Sequence, residues 1–382
     1  MSTFARTDRS ELGRWWWTVD RWTLAAIFAL IAIGAVLLLA ASPAAGNRIG
    51  LDSFHLARRQ LVLLPLALVL MLSVSLFSLR WIRRTAALGF LAALLLCLLT
   101  LLVGPEIKGA TRWINIGGFS LQPSEFLKPC FAVTSACMFA AARSEQGVPG
   151  IAIAGLLWAV SGALLLLQPD VGQFFVMTAI WGVQFFLSGL PLAWVAILLV
   201  GGVGALVATY VALPHVTARI DSFLDPAAGD RYQISRSLRA FFEGGWFGRG
   251  PGEGTVKAQL PDSHSDFIFA VAGEELGLIA CLIIVSLFAF VVLRGFSRVL
   301  QDNNLFVLLA TAGLLTQFGL QAMINMASSL HMMPTKGMTL PFISYGGSSL
   351  LALSLGMGMV LALTRRRPGM GAGMGTGMGE RA

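Results

Sequence analysis

Charged residues are scarce in this sequence. Asp, Glu, Lys and Arg make up 12% of its 382 residues, about half the share found in soluble domains. With 56% hydrophobic residues gathered in long apolar runs, that scarcity excludes a charge-covered soluble globule and points to a membrane protein. Cysteine is scarce too. Cys97, Cys130, Cys137 and Cys281 all lie in apolar runs and none forms a CxxC pair, so neither a zinc site nor a disulfide framework is expected. There is no HExxH, no GxSxG and no metal-ligand spacing. The glycine-rich run from Gly244 to Gly254 has no strand before it and no Gly-Lys-Ser/Thr after it, which excludes a nucleotide loop. It reads as a flexible loop that contacts a substrate or partner. No cleavable leader is expected. The first apolar run begins near Trp22, after Arg6, Arg9, Arg14 and Arg21, and reads as an uncleaved anchor with Trp15, Trp16 and Trp17 at the inner interface.

What is present is a series of spans. A membrane helix needs about 20 mostly apolar residues. Ten candidates satisfy this: 22–42, 60–79, 85–104, 123–142, 150–167, 170–188, 191–213, 267–293, 304–330 and 338–364. The fold expected is therefore an all-α polytopic bundle. Residues 1–21 form a cytoplasmic tail, 22–364 the membrane domain and 365–382 a basic, Gly/Met-rich cytoplasmic tail without assigned structure. Arg80, Arg83, Arg84, Arg143, Arg294, Arg298 and Arg365–Arg367 mark the cytoplasmic side by the positive-inside rule. The net charge of +8 is spent largely on such clusters, so it signals topology and anionic lipid rather than nucleic acid. The largest outward segment, 214–266, is too long for a plain connection. Within it Ile234, Leu238, Phe241 and Phe242 follow helical spacing, as in a helix lying in the outer interface.

Ionisable residues at membrane depth are costly and mark function by default. Glu125 and Lys128 share one face at the start of span four. Asp170 opens span six, Asp266 precedes span eight and Lys336 precedes span ten. In a ten-span bundle all lie at the outer end. Asp266, with His264 two residues earlier, stands where loop meets membrane, a place suited to a general base. Lys108 and Arg112 supply further outward cations. Glu274 and Glu275 read as a polar packing contact. Gln317, Gln321 and Asn325, on one face of span nine, read as interhelical hydrogen-bonding groups.

Several motifs then resemble one family, in order along the chain. They are Lys108-Gly109-Ala110-Thr111-Arg112-Trp113-Ile114 with Gln122-Pro123-Ser124-Glu125-Phe126-Leu127-Lys128, then Gln168-Pro169-Asp170-Val171-Gly172, then Leu260-Pro261-Asp262-Ser263-His264-Ser265-Asp266-Phe267 with Gly273-Glu274-Glu275-Leu276-Gly277, and finally Pro334–Ser349. Together they resemble the SEDS proteins (shape, elongation, division and sporulation), and the runs 245–254 and 335–349 are closer to the division branch than to the elongation branch. Ser265 stands where the family pattern has threonine. The resemblance implies a ten-span fold and a peptidoglycan glycosyltransferase that polymerises lipid II at the outer face of the inner membrane, at the division septum. It implies Asp266 as the catalytic acid, with Glu125 and Lys128 beside it. It also implies a class B penicillin-binding protein and other divisome membrane proteins as partners. Lys108, Arg112, Lys128, Lys336 or a divalent cation such as Mg or Mn would steady the departing pyrophosphate. A lipid II flippase and a non-catalytic divisome scaffold are the rival classes.

Overall fold

The computed structural model describes residues 10–365 except 107–109, 118, 145–146, 190–199, all but scattered positions of 200–230, 301 and 335–336. Among the described residues the chain is helical, with one short hairpin. Helix α1 (Glu11–Thr18) precedes α2 (Arg21–Arg48), α3 (His55–Ser75) and α4 (Leu79–Val103). Strands β1 (Ile114–Ile116) and β2 (Phe119–Leu121) pair antiparallel, Asn115 opposite Ser120. Then come α5 (Pro123–Ala142), α6 (Gly150–Leu167), α7 (Val171–Leu187), α8 (Arg231–Gly244), α9 (Ile268–Val299), α10 (Leu305–Ser329) and α11 (Gly347–Leu363).

Seven of these helices (α2 to α6, α9 and α10) are long and apolar enough to cross a membrane, and α7 and α11 are shorter apolar helices of 17 residues each. At 1.5 Å per residue such a helix is about 26 Å long, close to the bilayer core. Nine of the ten expected spans are thus helices. Most of the seventh, 191–213, and most of 214–230 lie outside the described residues, as do 366–382. Helix α5 is central. It packs against α4, α6, α7, α10 and α11 and buries Leu127, Phe131, Ala132 and Phe139 completely.

One end of the bundle is tied by Asp20, the N-cap of α2, which accepts from Arg294 Nε at 2.7 Å and Nη2 at 3.0 Å and pairs with Arg298 at 3.0 Å. Burial pushes the Asp20 carboxyl up. The hydrogen bonds from Arg294 and Thr23 and the two arginine charges more than offset this and leave it below its ordinary value.

Two expectations need correction. First, the tenth span, expected from residue 338, is helical only from Gly347, as α11. Met338–Gly346 is largely buried but not helical. Phe342 has φ +63°, and Ser344 Oγ accepts from Leu340 N at 2.7 Å while donating to Ser265 O at 2.6 Å. The freed backbone finds tertiary partners, including Tyr345 N to His264 O at 2.9 Å and Gly346 N to Gln60 Oε1 at 3.3 Å. Irregular backbone at this depth persists only when buried and satisfied in this way.

Second, the glycine run is docked rather than flexible. Helix α9 is broken at Gly277, φ +78°. Arg249 N and Gly250 N donate to the carbonyls of Glu274 and Glu275 at 2.9 and 3.0 Å, and Leu278 N donates to Gly245 O at 2.9 Å. A Cβ on Gly248 or Gly277 would overlap the opposing backbone, so only glycine permits the approach. The Glu274 carboxylate accepts from Val256 N and Lys257 N at 2.7 and 2.8 Å. Glu275 pairs with Lys257 and accepts from Gly252 N and Gly254 N. Helix α8 forms where expected. It buries Ser237 and Ala240, packs Phe241 against Phe269 where Gly273 leaves room for the ring, and leaves Phe242 84% exposed.

Candidate active site

The end of the bundle opposite Asp20 gathers polar groups from α5, α7, α10 and the 337–346 segment. Pro123 starts α5 and sets Glu125 and Lys128 one turn apart, facing inward. Lys128 has no exposed surface. Its ammonium donates to Glu125 Oε2 at 3.0 Å and to Gln321 Oε1 at 3.0 Å. Glu125 Oε1 accepts from Gln173 Nε2 at 2.5 Å. A buried ammonium and a buried carboxylate are tolerable only when mutually paired and hydrogen-bonded, as here.

The network continues both ways. Asp170 caps α7, accepting from Gln173 N at 3.4 Å, and its Oδ1 lies 3.7 Å from Arg112 Nη1. Arg112 also donates to Gln168 O at 3.0 Å and to Pro169 O. On the other side Gln321 Nε2 donates to Thr339 O at 3.2 Å and Thr339 Oγ1 at 3.1 Å, and Thr339 and Ser349 hydroxyls share a 2.6 Å bond. Ser348 Oγ accepts from Gln122 N at 3.0 Å, joining the start of α11 to the start of α5.

Asp266 stands at the head of α9, half-buried. Its carbonyl accepts from Asn325 Nδ2 at 3.0 Å, and the same amide donates to Met338 O at 2.6 Å. Asn325 is four residues, one turn or about 6 Å, from Gln321 on α10. One face of α10 therefore holds both the Glu125–Lys128 pair and the Asp266 backbone. The Asp266 carboxylate passes beside Gly337, whose added Cβ would lie 3.7 Å from Oδ2. His264 packs on Tyr345 with ring centroids 5.5 Å apart. Burial depresses its pKa, only partly opposed by Asp262, so the ring is held toward its neutral form. His264 Nδ1, Asn325 Oδ1, Gln173 Oε1 and Asp170 Oδ2 are buried without a hydrogen-bond partner, so this end of the bundle keeps acceptors free for water or ligand.

Glu125, Lys128, Asp170 and Arg112 are thus brought together, Asp266 joins them through Asn325 of α10, and His264, two residues earlier, packs on Tyr345. Lys108 and Lys336 lie outside the described residues. Sequence reasoning missed Gln173, Thr339, Ser349 and Lys257 and saw Gln321 and Asn325 only as helix-packing groups. Gln173 carried the one available signal, a polar group one turn after Asp170. Among the described residues no group of three or more His, Cys, Asp and Glu is arranged to hold a metal ion.

The FtsW/RodA/SpoVE cell cycle protein family matches residues 21–368. A relative from Caulobacter vibrioides (strain NA1000 / CB15N), named probable peptidoglycan glycosyltransferase FtsW, is 50% identical over 92% of this chain and 90% of its own. A protein of the same name from Aeromonas salmonicida (strain A449) is 36% identical over 87% of both chains. Among solved structures, a chain from work on a peptidoglycan synthase complex that coordinates polymerization and crosslinking has a TM-score of 0.74 at 29% identity, covering 91% of this chain and 97% of that one. The rod shape determining protein RodA of Thermus thermophilus has a TM-score of 0.68 at 29% identity with the same coverage.

Proposed function

The chain belongs to the FtsW/RodA/SpoVE family of cell cycle proteins, and from that premise we propose that it is an inner-membrane peptidoglycan glycosyltransferase that polymerises lipid II, with Asp266 as general base. The supporting observation is the placement of Asp266 at the head of the broken helix α9, beside Gly337 and tied through α10 to the buried Glu125–Lys128 pair.

Asp266 takes the proton from the 4-hydroxyl of the acceptor sugar. The oxygen attacks the anomeric carbon of the lipid-linked donor. The bond to the pyrophosphate breaks, its electron pair leaves with undecaprenyl pyrophosphate, and inversion gives a β-1,4 link. A positioned base contributes roughly 10²–10⁴-fold. Lys128, wholly buried, acts by holding the site together rather than by touching the pyrophosphate. Arg112, with 26% of its side chain exposed, is the described cation nearest to that role, and Lys108 and Lys336 are its companions. A divalent cation such as Mg or Mn would enter on the pyrophosphate, as Mg does when phosphate and water supply its ligands. His264, which burial holds toward its neutral form, offers a hydrogen bond to a sugar hydroxyl. The partner is a class B penicillin-binding protein, whose transpeptidase crosslinks the product. Both termini are cytoplasmic and the protein works at the septum with other divisome proteins.

The test is glycan formation from labelled lipid II by the protein purified with its class B partner, the partner's transpeptidase inactivated. Polymer supports the proposal. No polymer from a well-folded complex, across divalent metals and with division activators added, refutes it and leaves a flippase or scaffold.

A further inference from the structure

The break in α9 fixes the height of the glycine run against the membrane. Seventeen residues separate Gly277 from Arg294, which is tied to Asp20 at the basic end of the bundle. At 1.5 Å per residue that is about 26 Å, close to the roughly 30 Å hydrocarbon thickness. Gly277 therefore lies at the far edge of the apolar layer. The exposed side chains Leu278, Ile279, Leu282 and Ile283 begin the lipid-facing surface directly below it. The backbone amides of Leu278 and Ile279 are bonded to Gly245 O and Trp246 O at 2.9 and 3.3 Å, so the glycine run is level with the top of that surface and continuous with it.

Three aromatic rings project from the run and from the end of α8. Phe242, Trp246 and Phe247 are 84%, 64% and 83% exposed. Beside them Arg239 and Arg249 both pair with Glu243, leaving this group one net positive charge. Aromatic rings with adjacent arginines at this height are the composition of an interfacial anchor facing anionic phosphate. We propose that Phe242, Trp246 and Phe247 are immersed in the headgroup layer of the outer leaflet, where they anchor the docked loop that leads to Asp266. The occupant of this face is lipid, because the face runs without a step into the lipid-contacting side of α9. The inference needs only the spanning bundle and stands whether or not Asp266 is catalytic.

The test places the full chain in nanodiscs of phosphatidylethanolamine and phosphatidylglycerol. It is labelled with hydroxyl radicals from water and, separately, with a lipid-tethered diazirine, and each residue is read by mass spectrometry. Phe242, Trp246 and Phe247 should lose the oxidation they undergo in the unfolded chain and gain carbene adducts from lipid. Oxidation equal to that of the unfolded chain, without lipid adducts, would overturn the proposal. So would protection that appears only when the class B partner protein is added, which would make the face a protein-docking surface. The readout is independent of polymerisation, so failure here and failure of the glycosyltransferase reading are separable.

Discussion

Removing the Lys128 ammonium should unbalance the most buried ion pair at the active end. Lys128→Met keeps the apolar stem in its packed position and deletes only the charge. Glu125, 5% exposed, would lose its 3.0 Å cation and keep only Gln173 at 2.5 Å, and Gln321 Oε1 would lose its donor. Leaving one partner of a buried pair uncompensated costs roughly 3–5 kcal/mol. Adding Glu125→Gln to the same chain removes the stranded charge, so the double variant should recover most of that loss. The two sites touch, so the cycle is expected to be strongly non-additive. The assay is equilibrium unfolding in mixed micelles for wild type, both single variants and the double variant. A double variant at least as unstable as Lys128→Met would refute the reasoning, because the pair would then not be a charge-compensating unit.

Other perturbations test separate parts of the account. Lys257→Met should strand Glu275, whose other partners are Gly252 N and Gly254 N, and expose the glycine run to proteolysis. Unchanged cleavage would remove Lys257 from the docking account. Gly248→Ala should abolish folded protein, since its Cβ would meet the Glu275 and Leu276 backbone. Gly252→Ala, at φ +94° with open space around it, should cost only about 1–2 kcal/mol of backbone strain; equal yields of both in size-exclusion chromatography would contradict the packing. His264 has a depressed pKa in the folded chain. Between that value and the ordinary 6.5 the unfolded chain binds more protons, so stability should fall as pH drops below about 6.5. His264→Gln should flatten that slope in unfolding midpoints measured against pH, and an unchanged slope would assign it to another group.

The spans were legible because each is a long apolar run, and their helical form follows once water is excluded and the backbone must satisfy itself. The candidate site residues were legible as rare charges near span ends. What bound them was not. Gln173 and Glu125 are 48 residues apart, and Lys128 and Gln321 are 193 apart, and one sequence carries no sign of such pairings. The helical start of the tenth span was misplaced because the apolar residues of 338–343 run on toward α11 even though Pro341 and Gly346 interrupt them. The path of 338–346 is set by Ser344 within it and by Gln60 and Asn325 reaching in from other elements. The glycine run was misread as mobile for a related reason. Glycine signals freedom when its surroundings are open, and here Gly244, Gly248 and Gly277 instead permit backbone-to-backbone contact. Glu274 and Glu275 were rightly seen as packing groups, though their partners, the amides of Val256 and Lys257 and the Lys257 ammonium, lie in the loop rather than in another helix.

The most direct test of the central claim compares wild type with Asp266→Asn in lipid II polymerisation, each in complex with the class B partner. Asn keeps the shape of the side chain and the 3.0 Å bond from Asn325 to the backbone carbonyl but cannot take a proton. The account predicts that the variant folds, holds its partner and binds lipid II as wild type does, yet forms no glycan. Wild-type polymer from Asp266→Asn would contradict it.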